Sequence, residues 1–69
     1  MELTAVLLPA EEGGFVAINP ETGTTTQGDS IETVLLNLRE ATELFLQEFP
    51  MEPRGKAFMT TFEVPAHAA

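Results

Sequence analysis

The side chains in this sequence that could do chemistry are almost all carboxylates. Its 69 residues contain eleven Asp and Glu against three Lys and Arg, with one His and no Cys. A two-metal phosphodiester site needs several carboxylates converging so that ions ~3.5–4 Å apart can clamp a phosphate. Glu11, Glu12, Glu40, Glu43 and Glu63 are the acids to test against that requirement. Thiolate catalysis is excluded by the lack of cysteine. An oriented histidine base needs a rigid setting, whereas His67 stands two residues from the C-terminus and reads as a tail residue. Gly13 and Gly14 sit in no G-x-x-x-x-G-K or G-x-G-x-x-G pattern, so they read as turn geometry rather than a phosphate cradle. Glu11-Glu12 alone is a weak, exposed pair for a cation. The expectation is a non-enzymatic protein with no catalytic residue, no cofactor and no metal.

Carboxylates also attract cationic partners, and the net charge of −8 points that way. Nucleic-acid binding needs clustered Lys and Arg, yet Arg39, Arg54 and Lys56 are the whole supply. A basic protein suits the charge better. The plainer reading is solubility alone. A chain of this length holds one domain, residues 1–69, whose single core supplies no more than about 3–5 kcal/mol. With no disulfide available, self-association into a dimer or larger homo-oligomer is the expected further support. The sequence has no basic leader before a long apolar run and no apolar stretch near the ~20 residues of a bilayer span, so a cytoplasmic protein without membrane contact is expected.

The elements that must position these residues are organised around one stretch, Gly28 to Pro50. Ile31, Val34, Leu35, Leu38, Ala41, Phe45 and Phe49 recur there at three- and four-residue spacing, the stripe of an amphipathic helix. Asp29 is the expected N-cap, with Glu32 completing a capping box, and Pro50 ends the helix near residues 47–49. Leu3–Leu8, Phe15–Ile18 and Thr24–Gln27 read as strands separated by turns at Pro9–Gly14 and Asn19–Gly23. After the loop Pro50–Lys56, Ala57–Val64 reads as a fourth strand whose Phe58 and Phe62 would meet the helix stripe.

The order β-β-β-α-β predicts an α+β fold, a partial ribonuclease H-like arrangement. It would have a four-stranded mixed sheet in the order 3-2-1-4 and one helix on one face. In that arrangement the carboxylates do not converge. The first strand has no acid, the fourth only Glu63, and Glu40 and Glu43 lie off the apolar stripe. Leu36 and Leu44, two turns apart on the helix side away from that stripe, stand where water is expected and could mark an interface, although isolated surface leucines are ordinary. The expected partner-binding residues are therefore Glu11, Glu12, Leu36, Glu40, Glu43 and Leu44.

The ordered segments EEGGFVAINP (Glu11–Pro20) and TTQGDSIETVLLNLREATEL (Thr25–Leu44) resemble the HicB-type antitoxins. That family pattern is an acidic Gly-Gly-aromatic-x-Ala segment, a turn, Gly-Asp-Ser/Thr and a helix with Asn-x-x-Glu-Ala. It falls here on Gly13, Gly14, Phe15, Ala17, Gly28, Asp29, Ser30, Asn37, Glu40 and Ala41. The resemblance covers nearly the whole chain. It implies a truncated ribonuclease H-like fold and a binding module that neutralises a small, basic, RNA-cleaving toxin by covering its active site. Typical members carry a C-terminal DNA-binding segment; this chain resembles a short form without one, so direct binding to DNA is not expected. The alternative is a stand-alone oligomeric protein with a regulatory or structural role and no toxin partner.

Overall fold

Three strands and a helix follow one another in the computed structural model, which describes residues 1–52 and 55–66: β1 (Val6–Pro9), β2 (Phe15–Asn19), β3 (Thr24–Gly28) and α1 (Ile31–Glu48). The strands form one antiparallel sheet in the order β1-β2-β3, with Leu7 opposite Ala17 and Ala17 opposite Thr26. Pro9 to Gly14 closes the first hairpin through Ala10 N–H donating to the Gly14 carbonyl (3.0 Å). Gly14 has φ +76°, and a Cβ there would lie 2.5 Å from the Gly28 oxygen, so only glycine lets the hairpin press against the end of β3.

β1 begins at Val6 rather than Leu3, for a reason written in the opposite strand. Continuing the register places Thr4 opposite Pro20, which has no N–H to donate. Two side chains replace the missing rung. Asn19 Nδ2 donates to the Thr4 carbonyl and the Thr4 N–H donates to Glu21 Oε1, each at 2.7 Å.

The helix start corrects the expected cap. Ser30, not Asp29, is the N-cap: it is extended (φ −137°, ψ 165°) and its Oγ accepts from the Thr33 N–H at 3.1 Å. Serine and aspartate cap about equally well. The choice falls to packing, because Gly28 lies so close to the Val34 backbone that the first turn is seated on the last residue of β3. Asp29 is thereby left one position too early. At the other end the Phe49 N–H closes on the Phe45 carbonyl before Pro50.

The helix packs on β3 and β2. Val34, Leu38 and Ala17 are buried, with Leu7 and Phe15 packed around them. From the expected stripe, Ala41 and Phe45 are half-buried, while Ile31, Leu35 and Phe49 are exposed; the third buried helix residue is Thr42. Two polar contacts tie the layers: Thr26 Oγ1 donates to the Val34 carbonyl, and Asn37 Nδ2 donates to the Gln27 carbonyl on the free edge of β3.

The four-stranded sheet in the order 3-2-1-4 is not formed. The sheet has three strands, all antiparallel, and the segment Ala57–Val64 pairs with none of them. Phe58 and Phe62, expected against the helix, are 87% and 85% exposed. The cause lies in where the helix sits. It covers β2 and β3, so the stripe that Phe58 and Phe62 are expected to meet is already used there, and residues 57–64 run past the free edge of β1 without pairing to it. The single His, His67, and the cation Arg54 fall outside the described residues.

Candidate protein-interaction surface

The six expected partner-binding residues divide into two places. Glu11 and Glu12 lie exposed in the β1–β2 hairpin, level with the start of α1. Glu40 and Glu43 lie roughly 14 and 18 Å further along the helix axis at 1.5 Å per residue. Leu36, Glu40, Glu43 and Leu44 share the outward side of α1, where Leu36 is 55% and Leu44 62% exposed. The fold therefore joins four of them on one helix face and leaves the hairpin acids apart. Glu43 accepts from Arg39 Nε at 3.1 Å; both are exposed and one turn apart, a pair worth about 0.3–0.5 kcal/mol. Leu44 also lines a shallow groove with Phe45, Phe49 and the Thr22–Thr24 turn, and the Phe45 and Phe49 rings lie 5.2 Å apart.

A second site lies at the turn after β2. Glu21, which reads as a turn residue, accepts from the Thr4 N–H, Thr4 Oγ1, Asn19 Nδ2 and the Ala57 N–H, each at 2.7 Å. Backbone donation by Thr4 and then by Ala57 holds its carboxyl at about 2, well below the usual range. Asn19, 1% exposed, has its amide fully used: Nδ2 donates to Thr4 and Glu21, and Oδ1 accepts from the Thr22 N–H and hydroxyl. The Asn-Pro-Glu order was the available signal, since a proline opposite a strand end leaves a carbonyl that nearby side chains must satisfy. Thr4 Oγ1 also approaches the Ala57 carbonyl, and Lys56 Nζ donates to Glu2, whose carboxyl it holds below the usual range. These bonds pin the segment after α1 at one corner of the sheet, beyond which residues 58–66 run free and exposed.

Between that corner and the helix lies an open groove of about 590 Å³, bounded by Leu3 and Ala5 on one side and Leu35, Leu38 and Leu46 on the other. Its exposed wall is more apolar than polar, which suits apolar side chains, while Glu2, Arg39 and Glu43 also line it. Among the described residues no group of three or more His, Cys, Asp or Glu is placed to hold a metal ion. Among the same residues no helix is long and apolar enough to cross a membrane.

No family model and no solved structure matches the chain. A UPF0150 protein from Synechocystis sp. is 42% identical to it over 48 residues, which is 68% of this chain and 67% of that protein. At that identity, over two thirds of both sequences, the relationship is one of common family, and the chain belongs to the UPF0150 family.

Proposed function

We propose that this protein is a non-catalytic binding module of the HicB-type antitoxin kind, which neutralises a small basic RNA-cleaving toxin by occupying its RNA-binding surface. The observation that carries the reading is the outward face of α1, where two exposed leucines stand among carboxylates on a chain of net charge −8. An apolar pair inside an acidic field fits a basic protein surface with an apolar centre: the leucines contribute contact area and the carboxylates contribute complementarity. The UPF0150 kinship and the ordered Gly-Gly-Phe, Gly-Asp-Ser and Asn-x-x-Glu-Ala segments add support. Glu11 and Glu12, apart from that face, act on the approach of the partner rather than in the same contact.

The test is association kinetics with the basic protein encoded beside this gene, across a salt series. Association should slow as salt rises, because exposed charges are screened beyond about 8–10 Å near physiological ionic strength. Glu11→Lys with Glu12→Lys should slow it at low salt, and Leu36→Asp with Leu44→Asp should accelerate dissociation. No binding at low salt rejects the toxin reading for that pair.

A further inference from the structure

We infer that the protein forms a two-fold dimer by reciprocal strand exchange, in which residues 58–64 of each copy lie along the free edge of β1 in the other and place Phe58 and Phe62 in its groove. This surface meets the outward face of α1 only at Glu43 and its partner Arg39, which also line the groove, and it involves neither Leu36 nor Leu44. The inference stands whether or not a toxin partner exists.

The two edges of the sheet differ. Ala10 bonds Gly14, so by antiparallel alternation Leu8 and Val6 turn their backbone groups toward β2, and Leu7 and Ala5 turn theirs outward. The N–H and carbonyl of Thr4 point inward, since Glu21 and Asn19 satisfy both. The free edge of β1 thus offers donors and acceptors at Ala5 and Leu7 and ends at Pro9, which has no N–H. On the opposite edge the Gln27 carbonyl is capped by Asn37, and the exposed residues there are Thr25 and Gln27. Only β1 presents an open edge beside an apolar groove.

The arm supplies what that edge lacks. Ala57–Val64 alternates Phe58, Thr60, Phe62 and Val64 on one side, and extended it spans roughly 26 Å. Phe58, Met59, Phe62 and Val64 are 70% exposed or more, an apolar load out of keeping with a solvated tail. The arm also projects from the body: the radius of gyration is 14.4 Å and the longest extent 47 Å, whereas a compact chain of this length has a radius near 11 Å. Its root is fixed at the corner by Glu21 and Lys56, so a two-fold axis beside β1 lets two arms cross to opposite copies. Four phenylalanines would then leave water, of order 600–1,000 Å² before backbone and methionine are counted, which approaches the span of stable interfaces.

Two full-length variants separate arm from edge. Ala5→Pro removes an outward N–H at an exposed position without touching the β2 ladder. Phe58→Ser with Phe62→Ser removes the side chains that fill the groove. Sedimentation should show the parent protein as a dimer and each variant as a monomer, with helical circular dichroism retained in both. An equimolar mixture of the two variants should recover a 1:1 heterodimer, weaker than the parent, because one intact arm still meets one intact edge. A parent protein that stays monomeric at all accessible concentrations overturns the inference. So does a dimer indifferent to both variants, or two folded variants that fail to pair on mixing.

Discussion

Two stretches of this chain carry clean apolar periodicity, and they end in opposite situations. In α1 the residues Val34 and Leu38 are buried against Ala17, and the helix is seated on β3 through Gly28. In residues 57–64 the alternation is as regular, yet Phe58 and Phe62 are 87% and 85% exposed. Periodicity reports the local conformation and which side chains share a face. It does not report whether the chain lays that face on a surface of its own. The helix uses one because a turn of only Asp29 and Ser30 joins it to β3, whereas the arm runs past the free edge of β1 and its groove and pairs with neither.

The largest effects lie on the helix side. Leu38→Ala should cost about 2–5 kcal/mol. A core of this size supplies no more than about 3–5 kcal/mol, so the helical signal should be largely lost without denaturant. A variant that kept the parent's urea midpoint would show that Leu38 does not anchor the fold. Gly28→Ala comes next. Its Cβ would lie 2.8 Å from the Val34 nitrogen and 3.0 Å from its Cα, backbone atoms that cannot swing aside, and overpacking of this kind costs about 1–3 kcal/mol. Gly55→Ala, with nothing within 4 Å and no positive φ, is the control for an added methyl without a clash. Ser30→Ala should lower the urea midpoint by the equivalent of about 0.5–2 kcal/mol. Asp29→Ala should stay within about 0.5 kcal/mol, and the reverse ranking would restore Asp29 as the cap.

On the arm side the effects are smaller and more local. Glu21 has its carboxyl depressed from 4.5 to about 2, so its contribution is fully present above pH 4.5 and lost as pH falls through about 2. The Ala57 and Thr4 amide resonances should move together over that window, and Glu21→Gln should abolish the movement. Smallest of all, Phe58→Ser should shift the unfolding midpoint of dilute, monomeric protein by no more than about 0.5 kcal/mol, since the ring touches little within its own chain.

These contrasts also mark how far the sequence was legible. The helix, both hairpins and the outward side of α1 follow from spacing and turn chemistry, because each depends on residues close in the chain. The cap stands one residue later than the sequence predicts because Asp29 and Ser30 have equal intrinsic merit and a tertiary contact between Gly28 and Val34 chooses between them. Residues 57–64 read as a fourth strand because alternation reports β-compatibility, whereas pairing to β1 depends on a tertiary contact that no local spacing encodes. Glu21 reads only as a turn acid because its long-range donors, Thr4 and Ala57, lie 17 and 36 residues away and no spacing rule links them.

The corner around Glu21 also sets an order of events in time. Its bonds close loops of 36 residues to Ala57, and the neighbouring Thr4–Ala57 and Glu2–Lys56 contacts close loops of 53 and 54, nearly the length of the chain. Contacts of such separation gather their closure entropy last and form after the hairpins and α1 are in place. Held by a few polar bonds rather than by buried side chains, they are also the first to release. The Ala57 amide should therefore exchange its hydrogen with solvent faster than the amides of Val34 and Leu38, through an opening that frees the arm's root while the sheet and helix stay folded.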